Sequence, residues 1–111
     1  MKVTVDGQTG ATAVIHLSGQ LDALSATYVR NELASAVARG HTRLVVDLAN
    51  VGFVDSSGLG SLISGLKAAR IAGGDLRLAQ PSKQVGAILS LTMLERVLRS
   101  YPTVADALKG Y

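Results

Sequence analysis

The chain has 111 residues, 48% of them hydrophobic and 17% charged, with a net charge of +3 and no cysteine. That length makes one domain, residues 1–111, able to bury roughly two-thirds of its unfolded surface, and that composition is too apolar for disorder. Disulfides, thiol nucleophiles and cysteine zinc sites are excluded; with no signal-peptide apolar region at the start and no apolar run near the roughly 20 residues of a membrane helix, a soluble cytoplasmic protein is expected.

In chain order, Lys2 to Asp6 and Ala11 to Ser18 alternate in strand fashion around the turn-rich Gly7-Gln8-Thr9-Gly10 and predict a hairpin. In its second strand Ala13, Ile15 and Leu17 share one face, while Thr12, Val14, His16 and Ser18 share a mixed one, which puts His16 on the open side of the sheet. From Ala23 to Arg39, the positions Ala26, Val29, Leu33, Ala36 and Val37 recur at helical spacing, with Asp22 or Ser25 as the cap and Gly40 as the stop. Arg43 to Leu48 reads as a buried strand, followed by a glycine-containing turn. The next helix buries Leu59, Leu62, Ile63, Leu66 and Ala69, turns Ser57, Ser61, Ser64 and Lys67 outward, and ends at Gly73-Gly74. Asp75 to Ala79 is a further strand. Pro81-Ser82 opens a short helix carrying Val85, Ile88 and Leu89, Arg96 to Ser100 reads as a last strand, and Pro102 starts a closing helix. The pattern predicts an α/β fold: a mixed, mainly parallel sheet of about five strands, with about four helices largely on one face.

The segment Phe53-Val54-Asp55-Ser56-Ser57-Gly58-Leu59-Gly60 falls at a predicted strand-to-helix junction. A helix N-terminus offers unpaired N–H groups and the positive end of the macrodipole, so a phosphate on Ser56 or Ser57 is electrostatically favoured there. The simpler role for Asp and Ser before an apolar helix is capping. Nucleotide and nucleophile motifs fail on spacing. Ile63 stands where a dinucleotide fingerprint needs a third small residue, no Gly-Lys-Ser/Thr loop occurs, and Val54 breaks the glycine spacing of a nucleophile elbow at Ser56. The serines read as substrate rather than catalyst. Gly58 and Gly60 each cost about 1 kcal/mol of helix propensity, which close backbone approach, a partner or tight helix packing would offset.

The pI near 9.6 raises nucleic acid as a partner. Lysines and arginines are instead spread along every segment, and the aromatics are Phe53 and three tyrosines, so no base-stacking groove is indicated. His16 and His41 lack ligand partners in the sequence, and neither supports a metal site. No cofactor motif is present.

Three segments together carry a family resemblance: Ser18-Gly19-Gln20-Leu21-Asp22 before the first helix, a strand ending in Asp47-Leu48, and the Phe53 to Gly60 segment. The chain resembles a STAS domain of the bacterial anti-sigma factor antagonist type over essentially its whole length. The resemblance implies that Ser56, directly after the motif aspartate, is the phosphoacceptor, and that Asp22, Asp55, Ser56, Ser57, Gly58 and Leu59 contribute to partner binding. It also implies partner switching. The unphosphorylated form binds an anti-sigma factor that is a serine kinase and so releases a sigma factor; phosphorylation inactivates it, and a serine phosphatase resets it. On that reading the chain is no enzyme and contacts neither DNA nor membrane. Gln20 stands where glutamate is common in the family. The alternatives are a non-switching scaffold or transporter-associated module in which Ser56 only caps a helix, and a hydrolase or phosphotransfer enzyme using Ser56 as nucleophile, for which no histidine or lysine base is evident.

Overall fold

The computed structural model describes residues 1–111. Its strands are Lys2–Gly7 (β1), Thr12–Leu21 (β2), Arg43–Val54 (β3), Asp75–Ala79 (β4) and Ser100–Tyr101 (β5), lying in one sheet in that order. β1 and β2 pair antiparallel, and every later neighbour is parallel. Helices Ala26–Ala38 (α1), Ser56–Ile71 (α2), Lys83–Leu91 (α3) and Val104–Leu108 (α4) connect or follow the parallel strands. This is the mixed, mainly parallel α/β sheet that the pattern predicts.

Alternation along the strands sorts the residues between two layers. On one face Ile15, Leu17, Leu44, Val46, Leu76 and Leu78 pack against Val29 and Leu33 of α1, Leu62 and Leu66 of α2, and Val85 and Leu89 of α3. On the other, Val14, Val45 and Ala79 are covered by Ala107 of α4, with Tyr101, Val104, Leu108 and Tyr111 packed alongside. Three helices thus cover one face and the short α4 part of the other. Tyr111 locks the chain's last turn down: its hydroxyl donates to the Leu44 carbonyl at 2.7 Å. Burial, with the negative charge of Asp75 nearby, pushes its phenol well above the ordinary value. The Arg77 guanidinium lies 4.1 Å from the Tyr111 ring centre and donates to the carbonyls of Ala107 and Lys109.

Four expectations need correction. β3 does not end at Leu48 before a glycine turn; it continues through Gly52 to Val54. Two register shifts against β2 insert extra residues into β3, so Leu48, Val51 and Val54 are buried at a spacing of three, which matches no strand period. α1 begins at Ala26 rather than Ala23, because Asp22 and its neighbours form a turn of their own. Arg96 to Ser100 is mostly not strand: Leu94–Arg96 is a 3-10 turn, and only Ser100 and Tyr101 pair with β4 before Pro102 stops the ladder. Ser61 does not face solvent. It is completely buried, its hydroxyl satisfied by donating to the Gly58 carbonyl at 2.6 Å.

Candidate functional site

The parallel pairing of β2 with β3 brings two turns side by side: Leu21 to Ser25, leading into α1, and Val54 to Ser57, leading into α2. Asp55 joins them. It caps α2, its Oδ1 accepting from the Gly58 N–H at 2.9 Å, while its Oδ2 accepts from the Ala23 N–H at 3.2 Å in the neighbouring turn. Its own N–H donates to the Leu21 carbonyl at 3.2 Å. One carboxylate therefore satisfies a helix-terminal donor and fixes the two turns relative to each other.

Asp22 does the equivalent for its own turn. Its Oδ1 accepts from the N–H groups of Leu24 and Ser25 at 3.0 and 3.2 Å. The Ser25 hydroxyl donates to the Gln20 carbonyl at 2.8 Å and accepts from the Asp22 N–H at 3.0 Å, so it closes the turn rather than capping α1 by a side-chain bond. Asp55 thus caps α2, whereas neither Asp22 nor Ser25 caps α1 with its side chain: Asp22 serves the turn that precedes the helix. The ion pairs of the chain lie elsewhere, at His16–Asp6, His16–Asp47, Arg70–Asp75 and Lys109–Asp106, which leaves two unneutralised carboxylates at these turns.

Ser56 and Ser57 are the first residues of α2, both exposed. No protein group, histidine and lysine included, hydrogen-bonds to either hydroxyl. Behind them the helix is held tightly. A Cβ on Gly58 would lie 2.1 Å from the Leu21 carbonyl oxygen, so the close backbone approach that the glycine suggested is real at this position. At Gly60 it is not: a Cβ there would meet nothing within 4 Å. Leu59 is buried in the core at 5% exposure, so its side chain shapes the platform and is not presented to a partner.

Sequence reasoning missed the apolar rim. Leu24, 95% exposed, stands beside Asp22, and Tyr28 and Phe53 are partly exposed. Leu24, Tyr28, Asp22, Gln20, Ser25 and Met1 line a shallow depression of about 500 Å³. The available signal was that Leu24 lies between two turn-forming polar residues, off the Ala26-Val29-Leu33 stripe. An exposed leucine beside capped turns, free hydroxyls and uncompensated carboxylates suits contact with another macromolecule better than chemistry on a small one.

A second polar cluster lies on the other face of the sheet. His16 Nδ1 and Asp47 Oδ2 are 2.8 Å apart, and Asp47 Oδ1 accepts from the Gln80 amide and the Ala49 N–H, both at 3.0 Å. Burial pushes the Asp47 carboxyl up, but the hydrogen bonds from Ala49, His16 and Gln80 outweigh it and hold the group below the usual carboxylate range. His16 is half-exposed, as its alternation predicts. Its partner, however, is 31 residues away in sequence.

Comparison with known proteins agrees with this architecture. The STAS domain family model matches residues 2–107. A Thermotoga neapolitana protein, provisionally named an anti-sigma factor antagonist, is 32% identical over 64% of this chain, and the match spans 63% of that protein's length. The anti-sigma F factor antagonist of Paenibacillus polymyxa is 29% identical over 86% of this chain and 82% of its own. Among solved structures, an anti-sigma factor antagonist from Mycobacterium paratuberculosis superposes with a TM-score of 0.85 at 27% identity, covering 96% of this chain and 90% of that one. The Bacillus cell fate determinant SpoIIAA in its phosphorylated form shares the fold, with a TM-score of 0.74 at 22% identity over 96% of each chain. The sheet order, the length of the match and these relatives agree: this chain belongs to the STAS domain family, among relatives that are anti-sigma factor antagonists.

Proposed function

We propose that the chain is an anti-sigma factor antagonist whose affinity for its partner is set by phosphorylation of Ser56. In the unphosphorylated state it binds an anti-sigma factor that is itself an ATP-dependent serine kinase, so that a sigma factor is released. The kinase transfers phosphate to Ser56 and loses its hold, and a serine phosphatase restores the binding form. The site acts as substrate and docking surface, in the cytoplasm, without cofactor or catalytic residue of its own.

The observation that carries this reading is the Ser56 hydroxyl: exposed, engaged by no protein group, and placed at the first turn of a helix whose cap is already filled by Asp55. Capping, the competing role for Ser56, is therefore taken by its neighbour. A phosphoserine adds about −1.5 to −2 charge. In the free protein water and the helix N-terminus accommodate it. Under a docked partner, the same charge beside Asp55 and Asp22 is desolvated without a cation to pair with, and a penalty of a few kcal/mol weakens binding by orders of magnitude. Ser57, one position on, is exposed too, and Asp22, Asp55 and Ser57 complete the contact surface over the platform formed by Gly58 and Leu59.

The test is affinity capture from native lysate with wild-type, Ser56→Asp and Ser56→Ala baits, read by mass spectrometry. Wild type and Ser56→Ala should both recover a serine kinase of the ATPase type, and Ser56→Asp should not. Equal recovery by wild type and Ser56→Asp would contradict the switch and favour a constitutive scaffold.

A further inference from the structure

The antiparallel pairing of β1 with β2 uses only one side of β1, which is the edge of the sheet. Its sequence, Lys2-Val3-Thr4-Val5-Asp6, has a property that the pairing with β2 does not require: it is self-complementary about Thr4. Set two copies antiparallel with Thr4 opposite Thr4, and Lys2 of each faces Asp6 of the other while Val3 faces Val5.

The faces agree with the fold. Val3 and Val5 pair with Leu17 and Ile15 and so lie on the helix-covered face, whereas Lys2, Thr4 and Asp6 pair with Ser18, His16 and Val14 and lie on the other. Val5 is 36% exposed although it neighbours the fully buried Ile15, and Val3 already packs against the core. Lys2 has no ion-pair partner within the chain, and Asp6, 60% exposed, has only the long 3.9 Å approach to His16 Nε2. Edges that resist association commonly carry charges that repel a second copy. Here the charges at the two ends of β1 have opposite signs, which attracts a second copy in one register.

We propose that β1 is a homodimerisation edge, through which two copies of this chain form one continuous antiparallel sheet about a two-fold axis at Thr4. Both sides of the interface are the same patch, so the contact closes at two copies and leaves no free β1 edge. The Val5 of each copy covers the partner's Val3, and two Lys2–Asp6 pairs fix the register. The inference stands independently of the role of Ser56.

Sedimentation equilibrium over a concentration series tests it with four proteins: wild type, Lys2→Asp, Asp6→Lys, and the double exchange. All the altered side chains are exposed, so each variant should keep the wild-type circular dichroism spectrum. Each single inversion puts like charges opposite each other at both ends of the pairing and should weaken dimerisation by roughly tenfold or more. The double exchange has wild-type net charge and restored complementarity, and should recover the wild-type constant. Wild type that remains monomeric at every concentration, a dimer indifferent to the single inversions, or a double variant as weak as either single would each overturn the proposal.

Discussion

Two polar clusters, Asp55 with its serines and Asp47 with His16, differ in how fully their hydrogen-bonding capacity is used. Around Asp47 both carboxylate oxygens are engaged: they accept from His16, Gln80 and Ala49, and the cluster ties β2, β3 and the end of β4 together. Around Asp55 the carboxylate is equally engaged, with Gly58 and Ala23, but the two hydroxyls beside it are left to solvent. A carboxylate whose oxygens are all engaged across three strands functions as a fastening. An exposed, unengaged serine on such a platform keeps its hydroxyl open to solvent, as the proposed phosphorylation requires.

The comparison is most severely tested at the platform itself. Gly58→Ala forces a Cβ into the Leu21 carbonyl, a backbone atom that cannot rotate away, and should cost roughly 2–3 kcal/mol in urea unfolding despite the gain in helix propensity. Gly60→Ala, two residues along the same helix, meets open space and should stabilise by about 0.5–1 kcal/mol. Equal effects at the two glycines would show that α2 can shift and that the platform is not rigid.

Asp47→Ala should cost about 2 kcal/mol, because the Gln80 amide and the Ala49 N–H lose their acceptor in a half-buried setting. Phosphorylation of Ser56 should be unaffected. The Asp47 contribution also has a defined pH dependence. Its folded-state pKa lies below the unfolded value, so the stabilisation is complete above the unfolded value of about 3.9 and is lost as pH falls through the lower folded one. The stability gap between wild type and Asp47→Asn should therefore narrow below about pH 4; a gap that widens on acidification would contradict this assignment.

Asp55→Ala should be milder, near 1 kcal/mol, the usual cost of a lost cap. Its larger consequence is positional. Without the bond to the Ala23 N–H, the turn carrying Asp22 and Leu24 is held to α2 only by the Asp55 N–H bond to the Leu21 carbonyl, so amide exchange at Ala23 and Gly58 should accelerate while that in β4 stays unchanged. Uniform acceleration would show a global rather than local effect.

The fold was legible because its strands and helices keep their periods over long stretches. Leu44, Val46, Leu76 and Leu78 alternate cleanly, and the stripe from Ala26 to Ala36 is helical. Legibility failed where the backbone departs from regular pairing. The bulges of β3 gave Leu48, Val51 and Val54 a spacing with no secondary-structure meaning, and the 3-10 turn at Leu94–Arg96 took the start of a strand whose residues looked competent. The DSSGLG segment drew attention to this junction, but taken alone its residues favoured capping, and it is the family resemblance that points to modification of Ser56. The geometry gives the cap to Asp55 and leaves the Ser56 hydroxyl exposed. The His16–Asp47 pair was invisible, since parallel register across β2 and β3 creates it and no local pattern encodes it. Leu24 was overlooked for the opposite reason: it is apolar at a position that no periodicity claims.

The most direct measurement titrates a purified serine kinase, identified as the captured partner, with this chain in unphosphorylated form and after phosphate has been placed on Ser56 and mapped there by mass spectrometry. The account predicts at least a tenfold weaker dissociation constant for the phosphorylated form with an unchanged unfolding midpoint. Equal affinity of the two forms, or phosphate that maps to Ser57 and leaves Ser56 unmodified, would contradict it.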